Sequence, residues 1–403
     1  MFEAFYESTG GDDKVVLFER SPDGSELSDC VYELLPGANT GLIEDVSQLL
    51  ILRLDEEDGS DPDPYYIRRN KLGDFYSVDW RQMSDSLRNE ARLCNPLVST
   101  TLDRFLGQIA QDSTNDGKKV IVCAGPDSGI KALYRARVFQ SLDVLEEAMR
   151  HPEAQLGPLP KGMGRAGRMN ASGVSVFYGG TSAEVARAEV RPPVGSLVLL
   201  GQFSLARPMR LLDLDALSRL KADPSLSLFD PEALFIHGRC DFLAKLVVRL
   251  TMPVMPQDEE NSYLITQAIA DYLATHPGLE LDGIIFRSAQ VSKTEDGEVG
   301  RNVVLFHKSS RVDKAERIYQ SGRASQVIEE SEDGSRWDPY IWWGDQPQHL
   351  LGSGLWETEQ RPVSLVIVQD SLEIHQIEEV KFKAKVHSVI SVSSGVVNTG
   401  SRC

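Results

Sequence analysis

Gly167-Arg168-Met169-Asn170-Ala171-Ser172-Gly173-Val174-Ser175-Val176-Phe177-Tyr178-Gly179-Gly180-Thr181-Ser182-Ala183-Glu184-Val185-Ala186-Arg187-Ala188-Glu189 reads as a polar loop, a short strand and a helix that buries a carboxylate. Val174, Val176 and Tyr178 alternate with Ser175 and Phe177, the period of a strand, and Gly179-Gly180 is expected to end it. Thr181 followed three residues on by Glu184 has the spacing of a capping box at a helix start. At about 100° per residue, Glu184, Arg187 and Arg191 share one side of that helix, and Ser182, Val185, Ala186 and Glu189 share the other. A glutamate on the apolar side must be paired, protonated or used, because an unpartnered ionised carboxylate there is costly. A structural ion pair with an arginine is the alternative use for it.

Outward from this stretch, the composition limits what the protein does. A chain of 403 residues with 41% hydrophobic and 25% charged residues can bury a large core, in one large domain or two to three smaller ones. Sixty acidic against 42 basic residues, a formal charge of -18, argue against a protein that grips nucleic-acid phosphates. An anionic small molecule would need a locally basic pocket. Cys30, Cys94, Cys123, Cys240 and Cys403 are scattered and odd in number, which fits a reducing compartment. Neither they nor the seven histidines have metal-ligand spacing, so no metal is expected. The N-terminus lacks signal-peptide character and no apolar run reaches the ~18 residues that span a bilayer, so a cytoplasmic protein without membrane contact is expected.

Four segments follow from the pattern. Residues 1–75 are acidic and turn-rich, with one amphipathic helix expected near residues 41–53, and carry no assignable chemistry. Residues 76–130 form a helical lead-in broken at Pro96, then a buried strand over Lys118–Ala124 and a Gly-Pro-Asp turn. In the strand Leu133–Phe139, Leu133, Arg135 and Arg137 share a face opposite Tyr134, Ala136 and Val138. Two arginines pointing one way are either a solvated face or a guanidinium fork for a pyrophosphate. Beyond Glu189, a strand over Val194–Phe203 leads into a long helical section, with Asp230-Pro231 opening one helix and a second over Glu260–His276. Leu281–Ser288 and Asn302–Phe306 read as hairpin mates, with Ser288 extending the apolar face of Ile284 and Phe286. Residues 311–403 add an aromatic cluster, Trp337, Tyr340, Trp342 and Trp343, expected in the core, and strands near Val363–Val368, Ser371–Ile377 and Val380–Val392.

A strand arginine, a glutamate ending a helix after a Gly-Arg-x-Asn loop, and a strand serine after Asp-Gly form an ordered set that resembles the RES-domain family. The match rests on Leu133-Tyr134-Arg135-Ala136-Arg137, Gly167-Arg168-Met169-Asn170 with Gly173 and Tyr178, Ala188-Glu189, Tyr263 with Thr266-Gln267, Leu281-Asp282-Gly283-Ile284-Ile285-Phe286-Arg287-Ser288, and Asn302–Phe306. It departs in the added N-terminal region and in Met169, where relatives often carry tryptophan. The resemblance implies an α+β fold of mixed sheets with packed helices, an ADP-ribosyltransferase-like core over residues 131–310 completed by residues 311–403. It also implies an NAD-consuming toxin of a bacterial toxin-antitoxin pair, acting by water or phosphate, or passing ADP-ribose to a protein acceptor. An antitoxin or immunity protein covering the cleft is the implied partner, and NAD the implied substrate.

The residue types suit that chemistry. Breaking an N-glycosidic bond builds positive charge on the ribose, which a carboxylate, Glu189, would stabilise. Arg135 suits the pyrophosphate, with Arg137 or Arg168 as second contact. Tyr178 is assigned to nicotinamide or ribose, Ser288 to a ribose hydroxyl or the carboxamide, and Asn170 to the same binding set. No Gly-rich dinucleotide fingerprint follows a strand, which excludes a Rossmann oxidoreductase. A silent binding protein, with Arg135 and Glu189 as a structural pair, is the reading from another class.

Overall fold

The computed structural model describes residues 2, 6–8, 24–35, 37–58, 65–68, 75–160, 162–223, 230–252, 259–313, 324–331, 334–342, 360–381, 384 and 386–387. The protein is α+β, with helices packed on a mixed sheet.

The acidic N-terminal region contains β1 (Tyr6–Ser8), β2 (Ser25–Glu26), α1 (Leu27–Leu34), α2 (Thr40–Asp58) and β3 (Tyr65–Arg68). Its three strands pair in the order β1-β3-β2, a small sheet that the sequence pattern did not suggest. Phe2, Tyr6, Leu27, Cys30 and Tyr66 bury a satellite core, with Leu234 of the main body packed against it.

The lead-in forms α3 (Phe75–Asn89) and α4 (Pro96–Leu106), the second opened by Asn95, whose side chain accepts from the Val98 amide, and by Pro96 at its first turn. The chain then runs β4 (Ile121–Ala124), β5 (Ala132–Phe139), α5 (Leu142–Arg150), α6 (Pro152–Gln155), β6 (Phe177–Gly180), α7 (Ala183–Glu189), β7 (Leu197–Leu205) and β8 (Met209–Asp213). There follow α8 (Leu214–Leu217), α9 (Pro231–Thr251), α10 (Glu259–Thr275), β9 (Gly283–Arg287), β10 (Arg301–Leu305), the hairpin β11 (Ala324–Ser331) and β12 (Gly334–Trp342), then β13 (Leu365–Ile367) and β14 (Glu373–Gln376).

Among the described residues, nine strands make the main sheet in the order β13-β7-β5-β6-β10-β9-β8-β4, with β14 joining β7 beside β13. All pairs are antiparallel except β8 with β9. Alternation along the strands sorts side chains to two faces. Leu211, Phe177, Ile285, Val303 and Leu305 enter the core that also holds Leu145 and Met149 of α5. Leu212, Ile284 and Val304 enter the core under α3, α4, α9 and α10. On β5, Leu133 and Phe139 face the first core, while Ala136 with Tyr134 and Val138 packs beneath α7.

Several expectations change. The strand expected over Val174–Tyr178 is shifted to Phe177–Gly180 and includes both glycines. A Cβ on Gly180 would lie 2.8 Å from a Val185 methyl and 2.9 Å from the Ala186 amide, so glycine here lets α7 sit directly on the strand. The helix cap is Ser182, which accepts from the Val185 amide, rather than Thr181, whose hydroxyl turns to the Arg301 backbone. In the stretch expected to be helical after β7, β8 appears and pairs with β4 and β9. Of the aromatic cluster expected in the core, Trp337 is 44% and Tyr340 48% exposed on the hairpin, while Trp343 lies outside the described residues. Residues 380, 381, 384, 386 and 387 carry no strand, and the rest of the one expected over 380–392 lies outside the described residues.

Candidate active site

The main sheet opens between β5 and β6. β5 pairs with β7 from Ala132 to Phe139, yet meets β6 only at Tyr134 opposite Gly180. Where the two strands part, a cavity of about 500 Å³ forms, within the range of small-molecule sites. Its walls come from β5, the Gly167–Met169 loop, β6, the end of α7, the end of α9, the start of α10 and the turn after β9.

Arg135 is the charge at the parting of the strands. Its guanidinium lies 5.1 Å from the Phe177 ring centroid, and its Nη1 is fully shielded with no hydrogen-bond partner. Burial pushes the guanidinium down to about 10, so it stays charged at neutral pH. Among the described residues no carboxylate forms an ion pair with it. A shielded, unpartnered guanidinium nitrogen is costly, and the cavity is where an anion can reach it.

Glu189 is the last residue of α7 and lines the same cavity. The expectation of a buried carboxylate is corrected here. Val185 and Ala186 are buried, but Glu189 stands one turn further on, where the helix ends at the open cleft, and is exposed. Its Oε2 accepts a hydrogen bond from Asn302 Nδ2 at 3.1 Å. Asn302 lines the cavity and is itself buried, and its Oδ1 has no partner among the described residues. A carboxylate at a helix C-terminus also opposes the helix dipole, so fold stability does not account for it there.

The loop before β6 is built to hold its shape. Asn170 Nδ2 donates to the carbonyls of Arg165 at 2.8 Å, Val174 at 2.9 Å and Ala171 at 3.2 Å, and Oδ1 accepts from the Tyr178 hydroxyl at 2.9 Å. That hydroxyl in turn accepts from the Met169 amide at 3.2 Å. From the other side, Thr266 Oγ1 donates to the Arg168 carbonyl at 2.6 Å and Gln267 Nε2 to the Gly167 carbonyl at 2.8 Å. Burial pushes the Tyr178 phenol up to about 12, so it remains protonated.

The expected site residues therefore divide. Arg135, Arg168, Tyr178 and Glu189 line one cavity. Arg168 keeps one nitrogen on the Leu250 carbonyl at 3.1 Å. Tyr178 offers its ring, since its hydroxyl is spent on the loop. Asn170, expected among the ligand contacts, is buried, has its polar atoms committed and lies outside the lining. Arg137 is exposed, bonded to Gln155 and placed over Phe139, also outside the lining, because beyond Tyr134 its strand runs along β7 and away from β6. Ser288 is buried beside the cavity. Its Oγ accepts from the Gln290 amide at 3.2 Å and the Val291 amide at 3.1 Å, shaping the turn whose Ala289 and Gln290 form the wall.

Sequence reasoning did not place Arg191 or Arg287 at the site, although both line it. Arg287 is held by Asp215 at 2.6 Å, and the signal for Arg191 in the sequence is its place before Pro192-Pro193. Among the described residues no group of three or more His, Cys, Asp or Glu side chains is placed to hold a metal.

A nine-stranded mixed sheet, opened between two strands over a cavity lined by Arg135 and the helix-end Glu189, defines an α+β protein with a small-molecule cleft. The family model described as the RES domain matches residues 132–326, from the first residue of β5 into β11, so that stretch carries a RES domain. No curated protein and no solved structure matches the chain.

Proposed function

We propose that the protein is an NAD-consuming toxin that cleaves the bond between nicotinamide and ribose. The observation that carries this reading is Arg135, a charged guanidinium with a shielded, unpartnered Nη1 and no paired carboxylate among the described residues, in the same cavity as Glu189. The association of the RES family with NAD-acting toxins supports it.

In this reading the pyrophosphate neutralises Arg135, and the nicotinamide-ribose end lies towards α7. As the C1′–N bond breaks, its electron pair goes to the nicotinamide nitrogen, which leaves neutral and needs no acid. The ribose takes on oxocarbenium character, which the Glu189 carboxylate stabilises while Asn302 holds it in place. Water, or phosphate, supplies the oxygen that bonds to C1′, and water loses its proton to solvent or to Glu189. The products are nicotinamide and ADP-ribose, or its 1″-phosphate. An antitoxin or immunity protein that covers the cleft mouth would restrain the activity in the producing cell.

The test is NAD consumption by purified protein, with and without phosphate, comparing wild type with Glu189→Gln. Nicotinamide release should fall about 10²–10³-fold in the variant with the fold unchanged, because a preorganised transition-state charge is lost. Equal NAD turnover by the two proteins would remove Glu189 from the chemistry. No turnover by either, with and without a protein acceptor present, would return the chain to the binding-protein reading.

A further inference from the structure

Four arginines line the cavity, and they are not equivalent. Arg287 is committed to Asp215, Arg168 gives one nitrogen to a helix-end carbonyl, and Arg135 is half-buried with its Nη1 shielded. Arg191 is exposed at the rim, and among the described residues no carboxylate pairs with it.

Its backbone is the unusual feature. Arg191 has φ 45°, one of three non-glycine residues with positive φ among the described ones. It follows the C-cap Val190, and its amide bonds to the Ala188 carbonyl at 3.2 Å, so it takes the left-handed position that closes a helix. Glycine is strongly preferred there, because a Cβ crowds the backbone. The next residue is Pro192, which restricts Arg191 further. A strained non-glycine residue at a cavity wall, two positions after the carboxylate, points to a side chain that the site uses.

We propose that Arg191 is the second anchor for the ligand's phosphates, holding from the rim the pyrophosphate that Arg135 meets at the floor. This rests on the NAD reading above and replaces Arg137 in that role, since Arg137 lies outside the cavity. The ligand class is a nucleoside diphosphate or a dinucleotide. A substrate without phosphate would gain nothing from Arg191.

The alternative is that the arginine merely suits the negative end of α7. Full-length wild type, Arg191→Ala, Arg191→Lys and Arg191→Gly would be compared by titration with ADP, by NAD-cleavage kinetics, by cleavage of nicotinamide riboside and by thermal melting. Arg191→Ala should weaken ADP binding and raise KM for NAD about tenfold, with kcat within about twofold, because a charge-assisted contact common to ground and transition states is lost. Arg191→Lys should recover part of the loss, nicotinamide riboside should be cleaved as by wild type, and Arg191→Gly should melt at or above the wild-type temperature.

Unchanged ADP affinity in Arg191→Ala overturns the proposal, as does an equal loss with nicotinamide riboside. So does a lower melting temperature for Arg191→Gly with ADP binding intact, which would assign the arginine to the fold. If ADP binding depends on Arg191 while wild type leaves NAD intact, the anchor stands and the enzymatic reading falls. If NAD is cleaved and ADP affinity ignores Arg191, the reverse holds.

Discussion

At the scale of residues, the site is a matter of which polar groups are left unsatisfied. Asn170, Ser288 and the Tyr178 hydroxyl all have backbone or side-chain partners, so they shape the wall. Arg135 Nη1 and Asn302 Oδ1 are shielded and unpartnered. In a folded protein such groups are uncommon, and here both belong to cavity-lining residues. The Arg135 charge gives the binding step a pH dependence. In the proposed reading its charged form binds the anion, and burial has lowered its pKa to about 10, so raising the pH through that value removes the attraction. ADP affinity should be flat between about pH 7 and about pH 9 and fall towards tenfold per unit above about 10. Tyr178, pushed up to about 12, stays neutral in that window and adds no competing change. An affinity that stays level to about pH 11 would show that the Arg135 guanidinium keeps its proton there despite its burial.

At the scale of elements, the Gly164–Ser175 loop behaves as part of the wall because it is tied on two sides. Asn170 holds it from within, and Thr266 and Gln267 of α10 pin the Gly167–Arg168 backbone from without. Gly167 sits where these ties converge. A Cβ there would stand 2.6 Å from Asn170 Oδ1 and 2.8 Å from the Tyr178 hydroxyl oxygen, so any side chain must push one of them away. Gly167→Ala should therefore destabilise the fold by about 1–3 kcal/mol, a typical overpacking cost, and be seen as a lower midpoint in urea unfolding. ADP affinity should fall with it, since Arg168 shares that backbone. Wild-type unfolding in Gly167→Ala would mean that the loop is slack.

At the scale of the whole molecule, the C-terminal segment protects the sheet that carries the site. β7 bonds to β5 on one side, and its other edge is covered by β13 over Phe203–Leu205 and by β14 over Leu197–Leu200. A chain ended at residue 359 would leave that edge bare beside buried Val198, Leu199 and Leu200, a template for pairing with other chains. Such a truncation should aggregate and melt lower, read by light scattering during thermal unfolding, and a soluble monomer of unchanged stability would count against this role. The charge is also arranged globally. A chain of net charge -18 gathers Arg135, Arg168, Arg191 and Arg287 around one cavity, with Glu189 the single carboxylate of the lining among the described residues, so an anion meets local attraction within an acidic body. No helix among the described residues is long and apolar enough to cross a membrane.

The sequence by itself determined the α+β class, the helices around Pro96, Asp230 and His276, the β9–β10 pair, and Arg135 and Glu189 as the groups worth watching. Period, caps and breakers are local signals, and the ordered Arg, Glu, Ser set survives in one dimension. It did not show β8, because a five-residue strand between a turn and a short helix has too little periodicity to stand out. Nor did it show the N-terminal sheet, whose two- to four-residue strands become strands only through their partners. Only the tertiary structure decided that Asn170, Arg137 and Ser288 lie outside the lining while Arg191 and Asn302 lie within it. The physical reason is that a residue type announces which hydrogen bonds and charges it can offer. Whether those are spent on the backbone or left for a ligand depends on where β5 and β6 part, and that separation is set by the packing of the whole sheet.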